Sequence, residues 1–253
     1  MLDSDVPEVR VRKTACLRKG YNCPMKKYLW YLAVAMALAV ASAGVAQADQ
    51  VFTTPVGAVN PLTGQPVSAM ADFSLSGTTL TLKLTNLTPD MVSAGQLLTD
   101  LAFMLSNGSG VTLTNQTGNL VLVGAGGVVT PLGLATLGWG FGSTGGNTFE
   151  LCVICSGGVT SPVTPTEGLL GPTSADGKFD SANGSIDANP GHLPFVLGTA
   201  TFTFTVPSGV NVSDVTFSFG TVPGGNVSAP EPSSVLLLGF GLVGVPLLIR
   251  RRS

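Results

Sequence analysis

Asp72-Phe-Ser-Leu-Ser-Gly-Thr-Thr-Leu-Thr-Leu-Lys-Leu-Thr85 carries an apolar side chain at every second position on either side of a Ser-Gly pair. Successive side chains on a strand point to opposite faces. Phe73 and Leu75, then Leu80, Leu82 and Leu84, therefore line one side of a half-buried hairpin. Ser76-Gly77 supplies the turn, since glycine reaches the positive φ that a tight connection needs. Outward from the hairpin, residues 101–105, 111–114, 119–123, 148–154, 199–206 and 215–219 read as further short strands, with turn clusters between them. Phe202 and Phe204 share one face, as do Phe217 and Phe219. This pattern predicts an all-β passenger over residues 49–221: a single antiparallel β-sandwich, jelly-roll or immunoglobulin-like. A helical turn is expected only within 89–98. The Pro/Gly-rich stretch 159–179 reads as a long loop, and 222–229 as a linker holding the domain off the C-terminal tail.

Charge is unevenly spread. Within 49–229, Lys83 and Lys178 stand against ten Asp and Glu, which leaves that stretch near −8. Nucleic acid is held through clustered Lys and Arg, so nucleic-acid binding is excluded. An acidic, lysine-poor chain rich in Ser, Thr, Gly and Asn fits an extracellular domain.

Both ends carry targeting features. Met25-Lys26-Lys27, an apolar run over 28–45 and Ala46-Gln47-Ala48 form a secretory signal over 25–48, with the cut expected after Ala48 and Ala46 at the other small-residue position. An uncleaved anchor is the minor alternative. Residues 1–24 precede a complete signal and read as an upstream start or a long basic n-region; their Cys16 and Cys23 lack partners for a zinc site. At the other end Pro230, Glu231 and Pro232 are followed by an uncharged apolar stretch over 233–249 and then Arg250, Arg251 and Arg252. Seventeen residues lie at the short end of a bilayer span, and the arginines would act as its cytoplasmic stop. Motif, span and basic cluster in this order, over 230–253, resemble the PEP-CTERM signal of exosortase-processed bacterial surface proteins. The resemblance implies that an exosortase in the membrane processes the chain near Pro230-Glu231-Pro232. It also implies passage through the secretion translocon and signal peptidase, and delivery to the cell surface or an exopolysaccharide matrix. A plain single-pass anchor is the rival reading of the same segment.

Cys152-Val-Ile-Cys155 is the cysteine pair of the exported part. On a straight strand these positions lie roughly 10 Å apart, beyond disulfide reach. Bridging requires a bend, which Ser156-Gly157-Gly158 can supply. A structural disulfide and buried free thiols are the two readings; a redox centre lacks the βαβ setting. Gly140-Phe-Gly-Ser-Thr-Gly145 spells a dinucleotide fingerprint without a helix after it, and is expected to be a loop. Trp139, Phe141 and Phe149 are core or a contact surface for sugar rings. Asp176, Asp180 and Asp187 are candidate calcium ligands, although Asp and Asn also gather in such loops for turn reasons; no other cofactor is expected. His192, the one histidine, has no Gly-x-Ser-x-Gly elbow or ligand cluster beside it. No pair of acids is singled out for glycoside chemistry. The chain is expected not to be an enzyme. A structural or adhesive passenger is the leading expectation, a calcium-dependent carbohydrate-binding module the alternative, and a polysaccharide hydrolase a distant third. Asn86, Asn107, Asn115, Asn183, Asn211 and Asn226 each head an Asn-x-Ser/Thr triplet, which suggests an exposed surface.

Overall fold

The hairpin is present. In the computed structural model β2 (Ala69–Ser76) and β3 (Thr79–Asn86) pair antiparallel in one unbroken register from Ser76↔Thr79 to Ala69↔Asn86. The connection is Gly77-Thr78, one residue later than expected, with the positive φ of 62° on Gly77. The structure describes residues 49–231 except 157 and 163–165. The upstream segment 1–24, the expected signal over 25–48 with Ala46 and Ala48, Pro232, the apolar stretch 233–249 and Arg250, Arg251 and Arg252 lie outside the described residues.

Two wings grow around this hairpin. In the first, β1 (Gln50–Thr53) pairs with β2, and β10 (Phe195–Thr205) pairs with β3; β5 (Thr112–Gly124) comes after β10, and β6 (Val128–Thr136) forms the far edge. The second runs β7 (Gly140–Gly145), β8 (Thr148–Cys152), β4 (Leu98–Leu105), β11 (Val212–Phe219) and β12 (Asn226–Ser228). The two-residue strand β9 (Leu169–Leu170) joins them, pairing with Val196 and Leu197 of β10 on one side and with Leu98 of β4 on the other.

Several local expectations give way to tertiary contacts. Residues 111–114 and 119–123 read as separate strands, yet β5 runs straight through Asn115–Gly118. It is paired along both edges, which outweighs the turn preference of its residues. Gly118 is there for closeness: a Cβ would lie 2.7 Å from Val196 Cγ1. The expected loop 159–179 contains β9, whose leucines are fully buried, and Asn86 fixes it by donating from Nδ2 to the Leu169 carbonyl at 2.8 Å. That same asparagine is itself fully buried, so its triplet does not mark exposed surface. The β9–β10 pair is parallel, so the purely antiparallel expectation fails at this joint. β12 occupies part of the expected linker 222–229. The glycine-rich 140–145 is strand β7, because a loop crosses its outer face. A Cβ on Gly140 would lie 2.5 Å from the Thr160 carbonyl oxygen, and one on Gly142 would lie 3.2 Å from Val159. The helical turn expected in 89–98 is a 3-10 turn over Ala94–Gln96 with a capping box from Ser93 and Gln96.

The inward faces of the two wings share one core. Phe103 of β4 lies 5.3 Å from Phe73 of β2 and 5.9 Å from Phe204 of β10, centroid to centroid, while Trp139 lies 5.4 Å from Phe202. Each such buried phenylalanine contributes roughly 1.5–3 kcal/mol by leaving water. A second cluster, with Met91, Leu97, Phe179, Ile186 and Phe195, packs near the 3-10 turn. Two rows on the outer face of the first wing are polar. Ser74, Thr81, Thr203 and Asn115 form one row across four strands, and Ser76, Thr79, Thr205 and Thr112 form the next.

Candidate functional site

The motif Pro230-Glu231 begins where the second wing ends. β12 is the edge strand, in register Thr216↔Ser228, Phe217↔Val227 and Ser218↔Asn226. Ser218 Oγ donates to Asn226 Oδ1 at 2.7 Å, and the Thr216 and Ser228 hydroxyls lie 3.3 Å apart. Pairing continues past the strand: Ala229 N–H donates to the Val215 carbonyl at 2.8 Å. Immediately upstream the chain is clamped. Phe219 N–H donates to the Gly225 carbonyl at 2.9 Å, and a Cβ on Gly225 would lie 2.0 Å from the Phe219 oxygen, so no other residue fits without backbone movement.

Glu231, the centre of the motif, is exposed but not free. Its Oε1 accepts the Asp214 N–H at 3.1 Å. That N–H is available because β11 carries a bulge. Register with β4 shifts between Ser213↔Met104 and Thr216↔Ala102, and Asp214 sits at φ 50°. Bulges re-aim backbone groups and often end pairing. The signal was present in the sequence: Val212, Val215, Phe217 and Phe219 are all buried, and the three-residue step from 212 to 215 breaks the period of two. Pro230 is exposed at this edge.

The outer face of the same wing holds a second cluster. Cys152 and Cys155 are disulfide-bonded, with Cα atoms 5.0 Å apart, because the chain bends directly after β8. The looped segment is tied down by Glu150, whose Oε1 accepts both the N–H and Oγ–H of Ser156, at 2.6 and 2.9 Å. Glu150 is 1% exposed and Asp100, on the neighbouring strand β4, is 6% exposed. Asp100 Oδ1 and Glu150 Oε2 are buried without a hydrogen-bond donor. The interaction of Asp100 with Glu150 favours the protonated form of the Asp100 carboxyl. Burial first, then the charge of Glu150 and the hydrogen bond with it, push the Asp100 carboxyl up to about 8, while Ser218 pulls it the other way. No rule of strand alternation marks this pair, because both acids stand on the faces expected to see water. The covering loop makes them interior.

The other expected site residues scatter. Asp176 Oδ1 and Asp180 Oδ2 lie 2.6 and 2.7 Å from the Ser174 hydroxyl, and Asp176 also pairs with Lys178 at 3.2 Å. The Ser174 hydrogen bond and then Lys178 draw the Asp176 carboxyl down to about 2. Asp187 instead accepts the Gly126 N–H on its Oδ2 at 3.1 Å. Among the described residues, no three His, Cys, Asp or Glu side chains gather as a metal site. His192 Nδ1 lies 2.9 Å from the Ser185 carbonyl. Trp139 and Phe149 are core rather than a contact surface, at 3% and 4% exposed, and Phe141 is half-buried and stacked on Phe149 at 5.6 Å. Trp139 Nε1 donates to the Glu167 carbonyl.

Residues 228–252 match the family model described as PEP-CTERM protein-sorting motif. No curated protein and no solved structure matches the chain. The chain is a PEP-CTERM sorting-domain protein on the strength of those residues. The motif implies processing by exosortase, a membrane enzyme, and export through the membrane to the cell surface.

Proposed function

We propose that this protein is an exported surface or matrix component whose passenger is structural or adhesive, and that its tail is the substrate rather than the agent of catalysis. The match of 228–252 to the sorting motif is the observation that carries the reading. In this scheme 25–48 directs export and is removed after Ala48. The uncharged 233–249 then holds the chain in the membrane, and Arg250, Arg251 and Arg252 keep its end on the cytoplasmic side. Pro230-Glu231-Pro232 presents the region to be cut. We read the two wings as the sheets of one β-sandwich. The Cys152–Cys155 bond supports an oxidising destination. The rows of serine, threonine and asparagine on the first wing supply a neutral hydrogen-bonding face suited to a hydrated polysaccharide matrix, without requiring a catalytic group.

Intact-mass and peptide mass spectrometry of the protein from its own cells tests the scheme. The mature form is expected to begin near Asp49 and to end near residues 230–232. A mature pool that retains Ser253 would make the tail a plain anchor and remove the exosortase assignment.

A further inference from the structure

The sorting motif is too close to the folded domain to be presented as an extended peptide. Pro230, Glu231 and Pro232 alone separate the last sheet hydrogen bond, Ala229 to Val215, from the uncharged stretch at 233. Three extended residues reach roughly 10 Å. A folded domain tethered to a membrane segment through so short a linker leaves little room for a membrane enzyme to reach the motif.

We propose that residues 226–231 are a latch that peels from β11 before the motif enters the processing enzyme, so that access to the tail is controlled by the fold of the passenger; this rests on the exosortase-substrate reading above. The strip is built to open. It is three paired residues long, lies at the sheet edge, and has Asn226 and Ser228 exposed and Val227 only half-buried. Its ties are the short backbone ladder to β11 with the Ala229–Val215 bond, the hydroxyl contact of Thr216 with Ser228, the Ser218–Asn226 hydrogen bond, the bulged Asp214 N–H on Glu231, and the packing of Val227 and Ala229 on the core. Short edge segments with few buried apolar contacts open at the low end of the local-unfolding scale. Upstream, Gly225 is pinned on Phe219, whose carbonyl is itself held by Asn60 Nδ2 at 3.2 Å, so peeling stops there and costs the core the contacts of the partly buried Val227 and Ala229. Releasing 226–229 adds four residues, roughly 14 Å of reach.

A staple and a spacer test the latch in cells that process the wild-type chain. Thr216→Cys with Ser228→Cys joins directly opposed positions, and should lower the processed fraction at least about tenfold against wild type, if opening is required. Inserting Gly-Ser-Gly-Ser between Ala229 and Pro230 in the stapled protein supplies the same reach with β12 closed, and should restore processing to within about twofold. Retained protease resistance of the passenger and an intact Cys152–Cys155 bond show that the staple has not misfolded the domain. Wild-type processing of the stapled chain overturns the latch. Blocked processing that the spacer does not rescue overturns it too, since lack of reach is then not the cause. Failure of the wild-type chain to be processed at all is a separate result that removes the sorting reading itself.

Discussion

The two wings are built from similar strands, yet they treat their outer faces differently. In the first, β3 and β10 alternate cleanly, with Leu80, Leu82, Leu84, Phe202 and Phe204 inward and threonines outward. In the second, the outward position of β4 holds a buried aspartate, that of β8 a buried glutamate, and a disulfide loop covers both. The difference teaches where strand alternation stops being informative. It reports which face meets the core, but not whether the opposite face meets water.

Phe103→Ala strikes the point the wings share and should be the largest effect. The ring touches Phe73, Phe149 and Phe204, so its loss should destabilise the domain by about 3–5 kcal/mol in urea unfolding. A loss under about 1 kcal/mol would mean the wings do not depend on a common core.

Burial of Asp100 beside Glu150 makes the second wing sensitive to pH. The folded domain holds a proton on Asp100 that the unfolded chain releases above its ordinary value near 3.8, up to about 8. This contribution is therefore complete below pH 4 and fades as pH rises toward 8, by roughly 1 kcal/mol per unit. Asp100→Asn supplies a permanent donor to Glu150, and should flatten the pH dependence of stability between 5 and 8 while raising stability at pH 8. An unchanged slope in denaturation series would show that the folded domain does not hold the extra proton on Asp100.

Reducing the Cys152–Cys155 bond, or Cys155→Ser, should cost about 2 kcal/mol, as expected for so short a loop. Hydrogen exchange should quicken over 153–162 and in β7 while the β2–β3 hairpin stays unchanged. Equal quickening in both wings would erase the contrast. Smallest of all, Leu134→Lys on the outer edge strand β6, where the leucine is 73% exposed, should shift stability by less than about 0.5 kcal/mol.

The hairpin and the inward phenylalanines could be read from periodicity, because each depends on alternation along its own strands. The tail could be read because its three parts stand one after another in order. The features that could not be read depend on distant partners. Asn115–Gly118 looks like a turn until β10 pairs along all of it and β6 takes the other edge at Thr117 and Gly118. Leu169-Leu170 is too short a run to signal a strand, and becomes one by falling between Leu98 and Val196. Glu231 reads as part of a tail motif, while its partner Asp214 lies in the preceding strand, visible only as a missed beat in the valines.

The joint made by Leu169 and Leu170 also bears on when this domain can finish folding. Its neighbours are Leu98, far upstream, and Val196 and Leu197, downstream. Contacts between residues distant in sequence are slow to form. Each wing can zip its local hairpins early, but the two cannot be locked in mutual register until residue 197 has arrived. A chain that crosses a membrane in extended form would thereby delay its commitment to a folded state until most of the passenger has emerged.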